Sequence, residues 1–383
     1  MEDVGTSANN IIQLDSNAKI PAVDGSLVTG VTSGVSSSSD PTISTNPSGG
    51  VGTKYKNTTS GEMYICTNAT AGQNTWTNVG GGTGNVAPWF FGGDQYGYQY
   101  GGNTGPATSY ALTMEKWSLA SDADATAIGD MAVGCTYNHS CQKSSTHGYI
   151  SGGYTTTHIN TIQKWPFTTD GDSTDIADLT RVAAAAAGSS STTHCYTMCG
   201  GTQVNVIDKF PTATDANATD VGDCPQQGSQ GGGATSETHG YKLGGWTSYT
   251  NIHGGGAGTV ICIQKVSFAS DGNATDVAHL FDSRSSRVSS SSETHGYLAG
   301  GEGGTTVIDK HNFASGTDST DVGDCPVATY GKGGCASSVA SGYYTFGILA
   351  TNSINKYSHI SDGNATDIAD MVTVRNESGG CHY

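Results

Sequence analysis

From residue 145 onward the chain repeats one series of phrases, and this repetition limits the fold more than any other feature. Ser145-Thr-His-Gly-Tyr-Ile-Ser-Gly-Gly153 is followed by Ile162-Gln-Lys-Trp-Pro-Phe167 and then by Asp170-Gly-Asp-Ser-Thr-Asp-Ile-Ala-Asp178. The same order returns from Thr193 to Asp220, from Glu237 to Asp276 and from Glu293 to Asp321. Two divergent copies flank these, one from Trp89 to Thr126 and one from Gly342 to Asp367. The residues closing the acidic phrase are Asp130, Asp178, Asp223, His279, Asp324 and Asp370, spaced by 48, 45, 56, 45 and 46 residues. Each unit offers four short strands: one before Thr-His-Gly, one ending in Gly-Gly, one around Ile-x-Lys-aromatic and one after the Asn-Ala-Thr-Asp turn. The class is all-β, in six similar units.

Composition agrees. Glycine supplies 56 of 383 residues and only 13% are charged, so a core must be built from small residues in short elements. Four-stranded units arranged radially are a β-propeller, and a period of about 45–50 residues is that of kelch repeats. The chain resembles kelch and galactose-oxidase-type propellers in its Gly-Gly after strand two and in an Arg after strand four (Arg181, Arg284, Arg375). The expected fold is a six-bladed kelch-like β-propeller over residues 86–383. Blade one begins at strand two, read as Val86 to Gly93, so its strand one is missing. The tail from Val372 to Tyr383 reads as that strand, and Cys381 shares the Gly-Gly-Cys context of Cys335. A C-terminal strand closing blade one would lock the ring and cover its edges.

The segment ahead of the repeats differs. Residues 31–51 are Ser/Gly-rich and read as a linker or thin stalk. Residues 52–82 read as a small β-meander about the Thr58-Thr59-Ser-Gly61 turn, with a third strand at Trp76. Ala22-Val-Asp-Gly-Ser-Leu-Val-Thr-Gly30 and Asn57-Thr-Thr-Ser-Gly61 resemble segments of tail-fibre proteins of marine, cyanophage-like bacteriophages. The Asp-Gly-Asn-Ala-Thr-Asp repeat resembles distal domains of such fibres. The resemblance implies that residues 1–30 form an attachment and trimerisation segment docking on a virion tail, baseplate or adaptor protein. It implies a homotrimer on the virion whose propeller binds a host-surface glycan or outer-membrane receptor. A head-decorating fibre and a polysaccharide-degrading propeller are the alternatives.

Charge and chemistry narrow the function. The net charge is −17, which disfavours nucleic acid and anionic lipid as partners. No apolar run approaches the ~20 residues of a membrane helix, and MEDVGTSANN lacks the basic and apolar regions of a secretory signal. Ten cysteines without a CxxC read as free buried thiols. His147, His194, His239 and His295 share one repeat position, and sheets packed ~10 Å apart cannot bring them onto one ion. They read as turn histidines, and no metal site is expected among them. The Asp-Gly-Asn turns read as Asx caps, with Ca2+ as the alternative ligand. The sequons that recur in Asn-Ala-Thr read as turn chemistry. Repeated Asp residues do not form the singular carboxylate pair of a glycosidase, and no copper cluster or nucleophile elbow stands out, so no enzymatic activity and no cofactor are expected.

What departs from the repeat points to binding. The segments read as strand two to three loops carry Asp94-Gln-Tyr-Gly-Tyr-Gln-Tyr-Gly-Gly102 with Tyr110, and Trp246-Thr-Ser-Tyr-Thr-Asn-Ile-His-Gly-Gly-Gly256. Tyr96, Tyr98, Tyr100, Tyr110, Trp246, Tyr249 and His253 are the expected receptor-binding residues, their aromatic bodies and polar tips suiting a recognition surface. The strand order places these loops at the end of the propeller away from the stalk.

Overall fold

The computed structural model describes residues 34–79, 91–105, 110–137, 141–201, 204–253, 257–329, 333–345 and 352–383. The expected attachment segment, residues 1–30, lies outside them. The chain divides into two compact units between Pro88 and Trp89. Among the described residues every helix or strand is a β-strand, and each strand belongs to a four-stranded sheet.

In the first unit the sheet runs β1 (Val35–Ser37), β2 (Lys54–Asn57), β3 (Met63–Asn68), β4 (Thr75–Asn78). Alternation in β2 and β3 turns Tyr55, Tyr64 and Cys66 to one face, where they pack with Trp76. One expectation is corrected here. Part of the stretch read as a linker, residues 31–51, is strand β1, which pairs parallel with β2. Parallel pairing demands a crossover of about a dozen residues or more, and residues 38–53 supply it. They fold onto the meander: Tyr55 donates its hydroxyl to the Ser39 carbonyl at 3.0 Å, and Asn74 Nδ2 donates to the Ile43 carbonyl at 2.8 Å.

The second unit holds six sheets among the described residues. The first contains β5 (Tyr96–Tyr100), β6 (Thr113–Ser118) and β7 (Thr126–Asp130). The second is β8 (Gln142–Lys143), β9 (His147–Tyr154), β10 (His158–Pro166) and β11 (Thr174–Ala183). The third is β12 (Ala187–Ser190), β13 (His194–Met198), β14 (Val206–Pro211) and β15 (Thr219–Asp223); the fourth is β16 (Gly232–Thr235), β17 (His239–Thr247), β18 (Gly258–Ser267) and β19 (Thr275–His279). The fifth is β20 (Val288–Ser291), β21 (His295–Ala299), β22 (Thr305–Asn312) and β23 (Thr320–Thr329); the sixth is β24 (Cys335–Ser337), β25 (Ser341–Thr345), β26 (Ser353–Ser358) and β27 (Thr366–Asp370). The last strand, β28 (Gly379–His382), returns to the first sheet and pairs antiparallel with β5, Cys381 opposite Tyr98. Within this second unit all strand pairings in the six sheets are antiparallel.

The glycine of each Thr-His-Gly phrase lies in the second strand, not in a turn. Gly148 faces Trp165 across the ladder and Gly342 faces Tyr357, and a Cβ on either glycine would enter the opposing ring. Gly97 faces Trp117 in the same way. Tyr96-Gly-Tyr98 is therefore the counterpart of His147-Gly-Tyr149. Strand two of the first sheet is Tyr96–Tyr100 rather than Val86–Gly93, and its terminal pair is Gly101-Gly102, with φ of 61° and 95°. The turn itself is made by serine and threonine: Ser144 Oγ accepts from the His147 amide at 3.1 Å, and Thr146 Oγ1 lies 2.8 Å from His147 Nδ1. The same Thr–His contact holds at His194, His239 and His295.

Small residues fill the leading strands because these strands approach one another closely. β12, β16, β20, β24 and β28 are buried throughout. Each leading strand touches the next, and β28 touches both β24 and β8. The Lys143 amide donates to Ser190 Oγ, Ser190 to Thr235 Oγ1, Thr235 to Ser291 Oγ, Ser291 to Ser337 Oγ and Ser337 to His382 Nδ1, at 2.9–3.4 Å. His382 Nε2 donates to the Phe91 carbonyl at 2.7 Å, which fixes the neutral tautomer. Burial pushes this imidazole well below its ordinary value.

The acidic phrases join one sheet to the next. In all six, a side-chain oxygen accepts from a backbone amide of the preceding sheet's outer strand: Asp172 from Asp130, Asn217 from Asp178, Asn273 from Asp223, Asp318 from His279, Asn364 from Asp324 and Asp124 from Asp370, at 2.8–3.1 Å. Lys116–Asp170, Lys164–Asp215, Lys209–Asp271, Lys310–Asp362 and Lys356–Asp122 ion pairs accompany them. The Asx residues, expected to cap their own turns, thus fasten the neighbouring sheet. One oxygen of each of these Asx side chains accepts a protein hydrogen in this way. Buried ion pairs reinforce three of the junctions: Arg375 with Glu115, Arg181 with Asp208, and Arg284 and Arg287 with Asp309.

Candidate functional site

Five residues that each precede a leading strand adopt left-handed backbone without being glycine: Tyr137, Ala185, Gln230, Ser286 and Glu377, with φ between 53° and 59°. Each such residue costs about 1–2 kcal/mol. The conformation aims four of these amides at the neighbouring sheet. Tyr137 N–H donates to the Glu377 carbonyl (2.9 Å), Ala185 to Tyr137 (2.7 Å), Gln230 to Ala185 (2.8 Å) and Ser286 to Gln230 (3.1 Å). The result is a belt of backbone hydrogen bonds crossing five sheets. Backbone strain repeated in this way marks a place where surrounding structure holds a surface in one shape.

The belt lies at the end of the sheets where the second strands finish. Thr136 and Tyr154 exchange backbone hydrogen bonds of 2.9 Å there. Two adjoining cavities open beside it, of about 360 and 320 Å³. Tyr137 and Tyr154 line both; Tyr110, Asn103 and Glu377 complete one, and His158, Ser229 and Gln230 the other. Tyr137 and Tyr154 meet edge to face at 6.1 Å, and Tyr154 meets His158 at 5.4 Å. Burial, and then the carboxylate of Glu377, hold the Tyr137 phenol above its ordinary value. It stays protonated at neutral pH, its hydroxyl hydrogen directed to the Glu377 carboxylate. Aromatic faces beside amide, hydroxyl and carboxylate groups make a surface that can stack on a ring and hydrogen-bond its substituents.

A larger cavity, about 470 Å³, lies at the opposite end, among Phe91–Asp94 and the Ser144-Ser145 and Ser190–Thr192 turns. Its lining combines Phe91, Asp94, Lys143 and Tyr383 with the serine and threonine hydroxyls of these turns.

The expected receptor-binding residues are scattered. Tyr98 and Tyr100 are buried on β5 against Trp165, and Tyr100 donates to the Gly380 carbonyl at 3.0 Å; both are core residues. Tyr96, on the same strand, lies at the opposite end from the belt under the Lys116 ammonium, 4.6 Å from its ring centroid. A strand two ending at Gly92-Gly93 would put these three in a loop; they lie on β5 instead. Tyr110 does line the belt cavity. Trp246 is half-buried and its backbone pairs with Ser229. Tyr249 is exposed, and His253 lies beside Asp276 and His279. Sequence reasoning missed Tyr137, Tyr154, His158, Gln230 and Glu377. They occupy ordinary repeat positions, and only their identities vary from sheet to sheet.

No protein-family model matches the chain, and no curated protein is detectably similar to it.

Proposed function

We propose that the second unit is a closed six-bladed β-propeller whose belt end binds a glycan of a host-cell surface, as the head of a homotrimeric virion fibre. Closure is supported by the sequential contacts of the six leading strands, by β28 completing the first sheet, and by the Asx contacts that run from each sheet to the next and from the sixth back to the first. The fibre reading rests on the resemblance of the Ala22–Gly30, Asn57–Gly61 and Asp-Gly-Asn-Ala-Thr-Asp phrases. The binding reading is carried by one observation: Tyr110, Tyr137, Tyr154 and His158 gather with Asn103, Gln230 and Glu377 around a strained backbone belt. Binding is preferred to hydrolysis because Glu377 is the single carboxylate among the described residues lining these cavities, and glycoside hydrolysis employs two. Trimeric presentation would multiply modest affinity.

The full-length chain applied to an array of bacterial surface glycans is expected to bind a defined subset. Tyr110→Ala with Tyr154→Ala should weaken that binding at least tenfold, the loss typical of a central contact, without moving the melting temperature by more than a few degrees. Undiminished binding by the double variant would remove the site. Release of oligosaccharides from a bound polysaccharide would replace adhesion with catalysis, and localisation to the capsid on intact particles would make the fibre a head fibre.

A further inference from the structure

The spacing of the six repeats is broken once, by the 56 residues between Asp223 and His279, and the two irregularities of that interval meet in space. One is the insertion after β17, which contains His253. The other is residue 279 itself, a histidine where the five other repeats carry aspartate. His253 Nδ1 lies 3.1 Å from His279 Nε2, with the rings edge to face at 4.2 Å. Asp276, three residues earlier on β19, places Oδ2 2.7 Å from His253 Nε2. One ligand atom from each of the three residues lies within 4.8 Å of the others. Two ring nitrogens about 3.3 Å apart are what a tetrahedral ion with 2.0–2.1 Å bonds requires.

We propose that His253, His279 and Asp276 form a binding site for a zinc-class divalent transition metal, with the fourth position open to water. The outer contacts support this assignment. Asp318 Oδ1 accepts from the His279 amide at 2.8 Å, which is the sheet-to-sheet contact found at every junction. The same oxygen lies 3.1 Å from His279 Nδ1. A carboxylate anchored by the fold therefore receives the Nδ1 hydrogen and leaves Nε2 facing the cluster, the arrangement that orients metal-bound histidines. The insertion is held on its other side, where the Ile252 amide donates to Gln226 Oε1 at 2.7 Å and Asn251 Nδ2 to the Thr259 carbonyl at 3.4 Å. Two imidazoles and one carboxylate favour zinc, cobalt or nickel over calcium and magnesium, which prefer all-oxygen shells. The site is separate from the belt cavities, and the inference does not depend on the proposed function.

The test is titration of the full-length protein with Zn2+ alone, in competition with a chromophoric chelator, followed by Co2+ spectroscopy. One equivalent should bind, Co2+ should give the intense visible bands of a four-coordinate site, and Zn2+ should raise the melting temperature. His253→Ala with His279→Ala should abolish all three effects while keeping every cysteine, so binding to thiols is controlled. Asp318→Asn should weaken affinity roughly 10–100-fold, as loss of an orienting carboxylate does. Metal-free melting of each variant reports whether it folds. His279→Asp, which restores the residue of the other repeats, gives a second variant that retains the junction. Failure of the wild-type protein to take up one equivalent, or equal uptake by the double-alanine variant, would overturn the site.

Discussion

At the scale of single residues, the pairing of glycine with an aromatic ring across two strands sets how tightly each sheet packs. Gly148 gives Trp165 a flat bed, and the ring is buried as a result. Gly148→Ala drives a methyl group into that ring. It should destabilise the second unit by about 1–3 kcal/mol, the usual cost of overpacking, measurable as a lower denaturant midpoint with an unchanged slope. This role was not legible in the phrase Thr-His-Gly. A turn glycine and a strand glycine look alike in one dimension, since both are small and both recur. What separates them is the residue across the ladder, seventeen positions away in the case of Trp165. The histidine of the phrase was legible as a local turn partner, because its neighbours Ser144 and Thr146 are close in sequence and their chemistry is local.

At the scale of elements, β28 is the one strand among the described residues that joins chain segments far apart in sequence. Its recognition from the sequence depended on counting: a first copy lacking a strand and a tail supplying one. The same count misplaced β5, because the first copy contains two Gly-Gly pairs, at 92–93 and 101–102, and has lost the Thr-His that would distinguish them. The error moved three tyrosines from a strand to a loop and thereby into the expected binding site. Deleting residues 379–383 removes β28, uncovers β5 and the face of β24, and breaks the His382 contacts to Ser337 and Phe91. The melting transition of the whole second unit should fall as one cooperative event. Fraying confined to the first sheet, with the rest melting as before, would contradict the proposed ring.

At the scale of the whole molecule, the six sheets are of two kinds in strict alternation. The outer strands of the first, third and fifth carry Gly129, Gly222 and Gly323 and the third strands bury an acid (Glu115, Asp208, Asp309). The second, fourth and sixth carry Ala177, Ala278 and Ala369 and bury an amide (Gln163, Gln264, Asn355). Each of those glycines abuts the Asp-Gly turn of the next sheet, at Gly171, Gly272 and Gly363, where a Cβ would collide. The chemical repeat is thus a pair of sheets occurring three times, a period hidden in the sequence behind the shorter and more conspicuous one. Interfaces between sheets also set the acid response. His359 links sheets five and six, Ser290 Oγ lying 3.0 Å from Nε2 while Nδ1 donates to the Ser338 carbonyl. Burial pushes its pKa from 6.5 down to about 4, and His382 is pushed down as well. Both are neutral in the native state and take up protons more readily once unfolded. The His359 contribution is complete above about pH 6.5 and is lost as pH falls towards 4, on the order of 3 kcal/mol. Unfolding free energy measured from pH 7 to pH 4 should decline accordingly, and His359→Gln should flatten the decline.

The belt has a consequence for how such a surface changes over generations. Its bonds run from amide to carbonyl, so the side chains at 137, 185, 230, 286 and 377 take no part in them. Tyrosine, alanine, glutamine, serine and glutamate occupy equivalent places on the same backbone. Exchange at these positions would redraw the surface while the frame stays fixed, so in the proposed binding role a change of ligand would require substitutions rather than a new fold.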